Sequence, residues 1–112
     1  MNLQNWRIQL RKGLLELAIL SLLSVSKRHG YEMVQFLKQF DGFEIHEGNI
    51  YPILARLQMD GIIQGKKEPS PDGPARKYYH LTKKGKDILV QMDEQWETFV
   101  RNFQIIRRGP SK

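Results

Sequence analysis

The 112 residues contain no cysteine. That excludes a disulfide framework, a thiolate zinc site and a thiol nucleophile, and it fits a reducing compartment. Histidine is scarce: only His29, His46 and His80 occur, and none has the short spacing of a metal-binding helix. There is no glycine-rich phosphate loop, no G-x-S-x-G elbow and no paired carboxylates with an evident pocket. The chain therefore reads as neither an enzyme nor a metal or cofactor protein. Long apolar runs are missing too. The longest candidate, residues 14–25, is interrupted by Glu16, Ser21 and Ser24 and falls short of the roughly 18 residues a membrane span needs. The first twelve residues lack the order of a signal peptide. A cytoplasmic protein without a membrane partner is the expectation.

What is present is positive charge, 18 Lys and Arg against 12 Asp and Glu, giving +6 and a pI near 9.7. Its distribution says more than its sum. Residues 1–40 carry six basic and two acidic groups, and residues 61–87 carry seven and three. Between them, residues 41–60 carry one basic and four acidic groups. A polycationic tail would form one block, so these cations belong to a folded surface.

Residues 8–26 read as a helix apolar on most sides, with Leu10, Leu14, Leu17, Ala18, Leu20, Leu22 and Val25, and hence central. The stretch SKRHG (26–30) reads as a polar break with Gly30 as the helix stop. Tyr31, Val34, Leu37 and Phe40 repeat every three residues and predict a second helix over 31–40. A third runs from 47 or 49 to Met59, with Ile50, Ile53, Leu54 and Leu57 as its buried face. Asn49 as N-cap places Pro52 in the first turn, whereas His46 as N-cap places it further in and distorts the helix. Residues 68–75 form a loop with Asp72-Gly73 at its tip. The flanking Ile62-Ile63-Gln64 and RKYYHL (76–81) make it a β-hairpin with Lys66, Lys67, Arg76 and Lys77 on its arms.

Thr82 reads as the N-cap of a last helix over about 83–107. Leu89, Met92, Trp96, Phe99, Phe103 and Ile106 are spaced 3, 4, 3, 4, 3, an a/d seam. About 25 residues make roughly 37 Å of helix, against a radius of gyration of about 13 Å for a chain of this length. The helix therefore projects and needs a partner, a second copy being the simplest; folding back on the first helix is the alternative. The expected organisation is a DNA-binding unit over 1–81, a dimerisation helix over 82–108 and a disordered tail over 109–112.

Helix, helix, helix, basic hairpin is the order of a winged helix-turn-helix: mainly α with a two-stranded β-wing, plus a long C-terminal dimerisation helix. With its apolar face inward, the third helix presents Gly48, Tyr51, Pro52, Ala55, Arg56 and Met59 outward. Short side chains allow close approach to DNA; Tyr51 suits a phosphate and Arg56 a guanine edge. Asn49 suits adenine or a helix cap. Asp41, Glu44 and Glu47 precede the helix and would repel phosphate if they faced it. Phosphate contacts are then left to Arg7, Arg11 and Lys12 near the chain start, and to Lys67, Arg76 and Lys77 on the hairpin.

Four stretches in order carry a resemblance: LRKGLLELAILSLL (10–23), HGYEMV (29–34), GNIYPILARLQMDGII (48–63) and RKYYHLTKKG (76–85). Together they resemble the PadR family of bacterial transcriptional regulators, in its short subgroup with one C-terminal helix. That family often has Ser or Thr where Asn49 stands. The resemblance implies a homodimer, usually a repressor, on a near-palindromic operator of double-stranded DNA. It also implies release by a small molecule. Trp96, at mid-seam between Met92 and Phe99, would face its copy across the two-fold axis. Two indoles could sandwich a planar aromatic effector, with Leu14, Leu15 or Ala18 of the first helix as a wall. Equally, Trp96 is a bulky packing residue of the seam. A protein-binding adaptor, suggested by the acidic middle, is the rival to DNA binding.

Overall fold

The computed structural model describes residues 1–71 and 73–111. Asp72 at the hairpin tip and Lys112 of the tail lie outside the described residues. The order is α1 (Leu3–Val25), β1 (Arg28–His29), α2 (Gly30–Leu37), α3 (Glu47–Met59), β2 (Ile63–Ser70), β3 (Gly73–Leu81) and α4 (Lys83–Arg108). The sheet is antiparallel with strand order β1-β3-β2. Ile19, Leu20, Met33, Ile50, Leu54 and Ile63 form the fully buried centre, where α1, α2, α3 and the sheet meet.

Helix α1 begins five residues before the expected start at 8. The Asn2 side chain caps it, accepting from the N–H groups of Gln4 (2.9 Å) and Asn5 (3.4 Å). The extra turn carries Leu3 and Trp6, both exposed. The helix is central only in its second half: its buried residues run from Leu15 to Leu23, while Leu10 and Val25 are exposed.

Gly30 is not a helix stop. It is the buried first residue of α2. His29 caps this helix through Nδ1, which accepts the Glu32 N–H at 3.2 Å. Glu32 returns the contact, its Oε1 accepting the His29 N–H at 2.9 Å. Arg28 and His29 also pair with Tyr79 and Tyr78, adding a third strand to a sheet expected to have two. Helix α2 ends at Leu37, short of 40. The N–H groups of Gln39 and Phe40 donate to Phe36 and Leu37, three residues back, so the chain tightens out of the helix.

His46 is the N-cap of α3, which settles the two starts left open by the sequence. Asn49 is the third helical residue. Pro52 stands well inside the helix, which nevertheless runs continuously to Met59.

Thr82 caps α4 as expected. Its hydroxyl accepts the Gly85 N–H at 3.0 Å and donates to the Gly61 carbonyl at 2.6 Å. A Cβ at Gly85 would overlap the Ile62 carbonyl, so glycine lets α4 start flush against the turn after α3. At 1.5 Å per residue, 26 residues make about 39 Å of helix. The first turns of α4 pack on α1, so part of the fold-back alternative is realised, and Leu89 lies in the chain's own core. The remainder projects. The radius of gyration is 16.6 Å and the longest dimension 64 Å. Along the seam Met92 is half-buried, Trp96 is 45% exposed and Ile106 66% exposed. Among the described residues, no helix is long and apolar enough to cross a membrane.

Candidate nucleic-acid interface

The turn between α2 and α3 decides where α3 points, and α1 holds that turn. Arg11 donates from Nε to the Gly42 carbonyl (3.1 Å) and reaches Glu44 Oε2 with a second nitrogen (3.1 Å). Arg7 adds a longer contact to Glu44, at 3.9 Å. Glu44 sits at φ 47°, an unusual conformation for a residue with a side chain. Asn49 braces it, donating from Nδ2 to the Glu44 carbonyl at 3.1 Å, while Oδ1 accepts the His46 N–H at 2.8 Å.

Two residues expected at DNA thus also have structural work. The Arg11 side chain is only 16% exposed and grips the turn. Asn49 is not the N-cap but closes the turn from the third helical position, with both ends of its amide engaged. The acidic segment also changes meaning, because Glu44 is neutralised by arginines of α1.

The outward face of α3 is as expected: Gly48, Tyr51, Pro52, Ala55, Arg56 and Met59 are all exposed. Two grooves flank it. Toward α1, Lys12, Asn49, Pro52 and Arg56 line a groove of about 450 Å³, together with Arg11. Arg56 stands 3.8 Å from Glu16 across it, with most of its side chain in solvent. Toward the hairpin, Tyr51, Ala55, Lys77 and Tyr79 line one of about 410 Å³. Tyr51 leans back on α2, its ring over Gly30. Burial, with Tyr51 as a lesser cause, pushes the Tyr79 hydroxyl above its ordinary pKa.

The hairpin register sorts its cations by face. Lys67 is directly opposite Lys77, and Glu68 opposite Arg76, with an irregularity between Glu68 and Ser70. Directly paired residues share a face and successive residues alternate. Lys67, Lys77 and Tyr79 therefore lie on the face toward α3, and the Lys77 ammonium sits 5.5 Å from the Tyr79 ring. Arg76 is on the other face, its guanidinium 5.4 Å from the Tyr31 ring of α2. Lys27 pairs there with Glu68 at 2.8 Å. Arg76 is therefore separated from the two lysines it was grouped with.

At the expected effector position, Met92, Trp96 and Phe99 line a shallow groove of about 480 Å³. Leu15 is not part of it. It is 4% exposed and faces α3, because residues 13 and 17 share one side of α1 and residue 15 points away from it. Gly13 and Leu17 form that wall, with Ile88 of α4. Sequence reasoning also missed a second apolar surface. Leu3, Trp6, Leu10 and Phe43 line a groove of about 360 Å³ at the start of α1, and Leu3, Trp6 and Leu10 are exposed. The Asn2 cap is the signal that would have extended α1 far enough to find it.

Known proteins share this arrangement. The model of the transcriptional regulator PadR-like family matches residues 19–91. The chain is 39% identical to a Streptococcus transcriptional regulator of known structure, with a TM-score of 0.81, covering 88% of this chain and 97% of that one. A PadR-like transcriptional regulator from Bacillus cereus is 35% identical with a TM-score of 0.82, over 91% and 99% of the two chains. The transcriptional regulator Rv3488 of Mycobacterium tuberculosis is 28% identical over 93 residues, 83% of this chain and 85% of the relative. The chain, a winged helix with a long C-terminal helix, belongs to the PadR-like family of transcriptional regulators and is not an enzyme.

Proposed function

We propose that this regulator is a homodimeric, ligand-responsive repressor that binds a near-palindromic operator. One observation carries the DNA contact: the exposed face of α3 lies between Lys12 on one side and the Lys67–Lys77 pair on the other. Two like charges directly opposite on a hairpin repel, and a phosphate between them removes the repulsion. Tyr51, Pro52 and Arg56 then meet the major groove, and Lys12, Lys67 and Lys77 the backbone. In a two-fold dimer the α3 helices enter successive major grooves about 34 Å apart. If roughly six to ten phosphates are neutralised, affinity falls about 10³–10⁵-fold between 50 and 200 mM salt.

The apolar face of α4 from Trp96 to Ile106 supports the dimer, and the Leu3–Trp6–Leu10 surface offers a second area for the same partner. Gly13 supports a sensor at the groove under Trp96. Glycine inside a helix costs about 0.5–1 kcal/mol relative to alanine, yet among the described residues nothing beyond the helix's own neighbouring backbone lies within 4 Å of a Cβ placed there. That open wall suits close approach by a planar aromatic ligand or by the partner.

A gel-shift titration with DNA from upstream of the protein's own gene tests the reading. A salt-sensitive shift with dimer stoichiometry is the expected result. An intact dimer that shifts no promoter fragment would sink it and favour a protein-binding adaptor.

A further inference from the structure

A different cleft, at the base of α4 and separate from the Trp96 groove, has the chemistry of a binding site. It opens between the end of α1, the end of β3 and the second turn of α4, with a volume of about 500 Å³. That is within the roughly 300–1,000 Å³ usual for small-molecule sites. Its floor is aliphatic: Leu23, Leu81 and Leu89 are core residues at 4%, 7% and 8% exposure. Val90, 58% exposed, stands at the rim. The polar groups are of one kind. Lys86, His80 and Ser24 line the cleft with no acidic residue among them, the Ser24 hydroxyl donating to the Ser21 carbonyl. Among the described residues, neither Lys86 nor His80 has an ion pair or a side-chain hydrogen bond.

Lys86 stands near the positive end of a helix dipole, with Asp87 as the next residue. It belongs to the first turns of a 26-residue helix whose first turn holds no acidic residue. Cations there oppose the helix dipole instead of complementing it. Lys84 meets part of this by donating to the Asp60 carbonyl at 2.9 Å; Lys86 has no such partner. An aliphatic floor under a cationic mouth is complementary to an amphiphilic anion.

We propose that this cleft binds an aliphatic monocarboxylate, its chain on Leu23, Leu81 and Leu89 and its carboxylate at Lys86 and His80. The absence of a phenyl or indole ring in the lining selects an alkyl chain over a planar ring, in contrast to the Trp96 groove. The ligand would touch α1, the hairpin and α4 together, and so bear on the joint between the wing and the projecting helix.

The test is a titration of the ¹⁵N-labelled full-length protein with sodium octanoate, followed by amide chemical shifts. Saturable shifts at Ser24, His80, Lys86 and Val90 are expected, with 1-octanol much weaker. Lys86→Gln should weaken octanoate roughly fivefold, the scale of one solvent-accessible ion pair, and leave octanol unchanged. Val90→Gln, at the rim, should weaken both while the remaining spectrum reports an intact fold. Three results would overturn the proposal: equal binding of octanol and octanoate, an unaffected Lys86→Gln variant, or shifts centred on Trp96, Phe99 and Phe103. No arm contains DNA, so the outcome is independent of whether the chain binds an operator.

Discussion

The ring of Tyr51 on α3 lies where a side chain on Gly30 would have to go: a Cβ there would be 2.5 Å from Cε1 and 2.9 Å from the hydroxyl oxygen. The missing side chain of one helix thus sets the rotamer of the other helix's outward tyrosine. Gly30→Ala should displace the ring with little effect on the core, since Tyr51 is 42% exposed and free to move. The melting temperature should change by only a few degrees. Operator affinity should fall about tenfold, the scale of one hydrogen bond to a charged group. Unchanged affinity in fluorescence anisotropy would remove Tyr51 from the interface.

Arginines and lysines near the interface should separate by experiment. Arg11→Ala should cost about 1–2 kcal/mol of stability, as expected when a charge-assisted hydrogen bond is lost, while leaving the salt dependence of binding unchanged. Lys77→Ala should do the reverse: near-wild-type stability and a salt slope lower by about one. Arg76→Ala, on the other face of the hairpin, should leave the slope alone. A lowered slope for Arg11→Ala would place its guanidinium on a phosphate after all.

Trp96→Ala should abolish fluorescence quenching by planar aromatic compounds while leaving the dimer largely intact, since Phe99, Phe103 and Ile106 remain on the face. The second tryptophan, Trp6, lies on the other apolar surface and keeps a signal in the variant. Quenching that survives would take Trp96 out of the effector site.

Tyr79 supplies a pH dependence whose sign follows from its surroundings. Its hydroxyl is raised above the ordinary value, chiefly by burial. The folded state therefore favours the neutral phenol. The contribution is complete below the unfolded value, about pH 10, and is lost as pH rises through the folded one. Between pH 9 and 11 the wild type should lose more thermal stability than Tyr79→Phe. Parallel losses would remove Tyr79 as the cause.

The outward face of α3 was legible because its buried residues repeat regularly. Ile50, Ile53, Leu54 and Leu57 keep a strict helical period, so the outward residues follow by subtraction. The aromatic spacing of α4 is equally regular, although it does not reveal that Leu89 belongs to the chain's own core. The first turn of α1 was hidden because its apolar residues do not continue the stripe that packs on the core. β1 was hidden because two residues have no period; it forms only because Tyr78 and Tyr79 arrive beside it. Arg11 looked like a free cation because its partners, Gly42 and Glu44, are more than thirty positions away. Leu15 was misplaced because α1 is apolar on most sides, and such a helix does not announce which side faces which neighbour.

The fastening of α4 by Thr82 and Gly85 to the turn after α3 makes that helix a lever with its fulcrum at the base of the wing. Beyond Leu89, which lies in the core, about 28 Å of α4 projects, and a tilt of about 5° there moves its far end by about 2.5 Å. Two such arms joined at their tips would turn a small change of angle beside Leu89 into a change of pitch between the reading helices. In the proposed dimer, release from an operator would then follow from loss of register, with the outward side chains of α3 still in place.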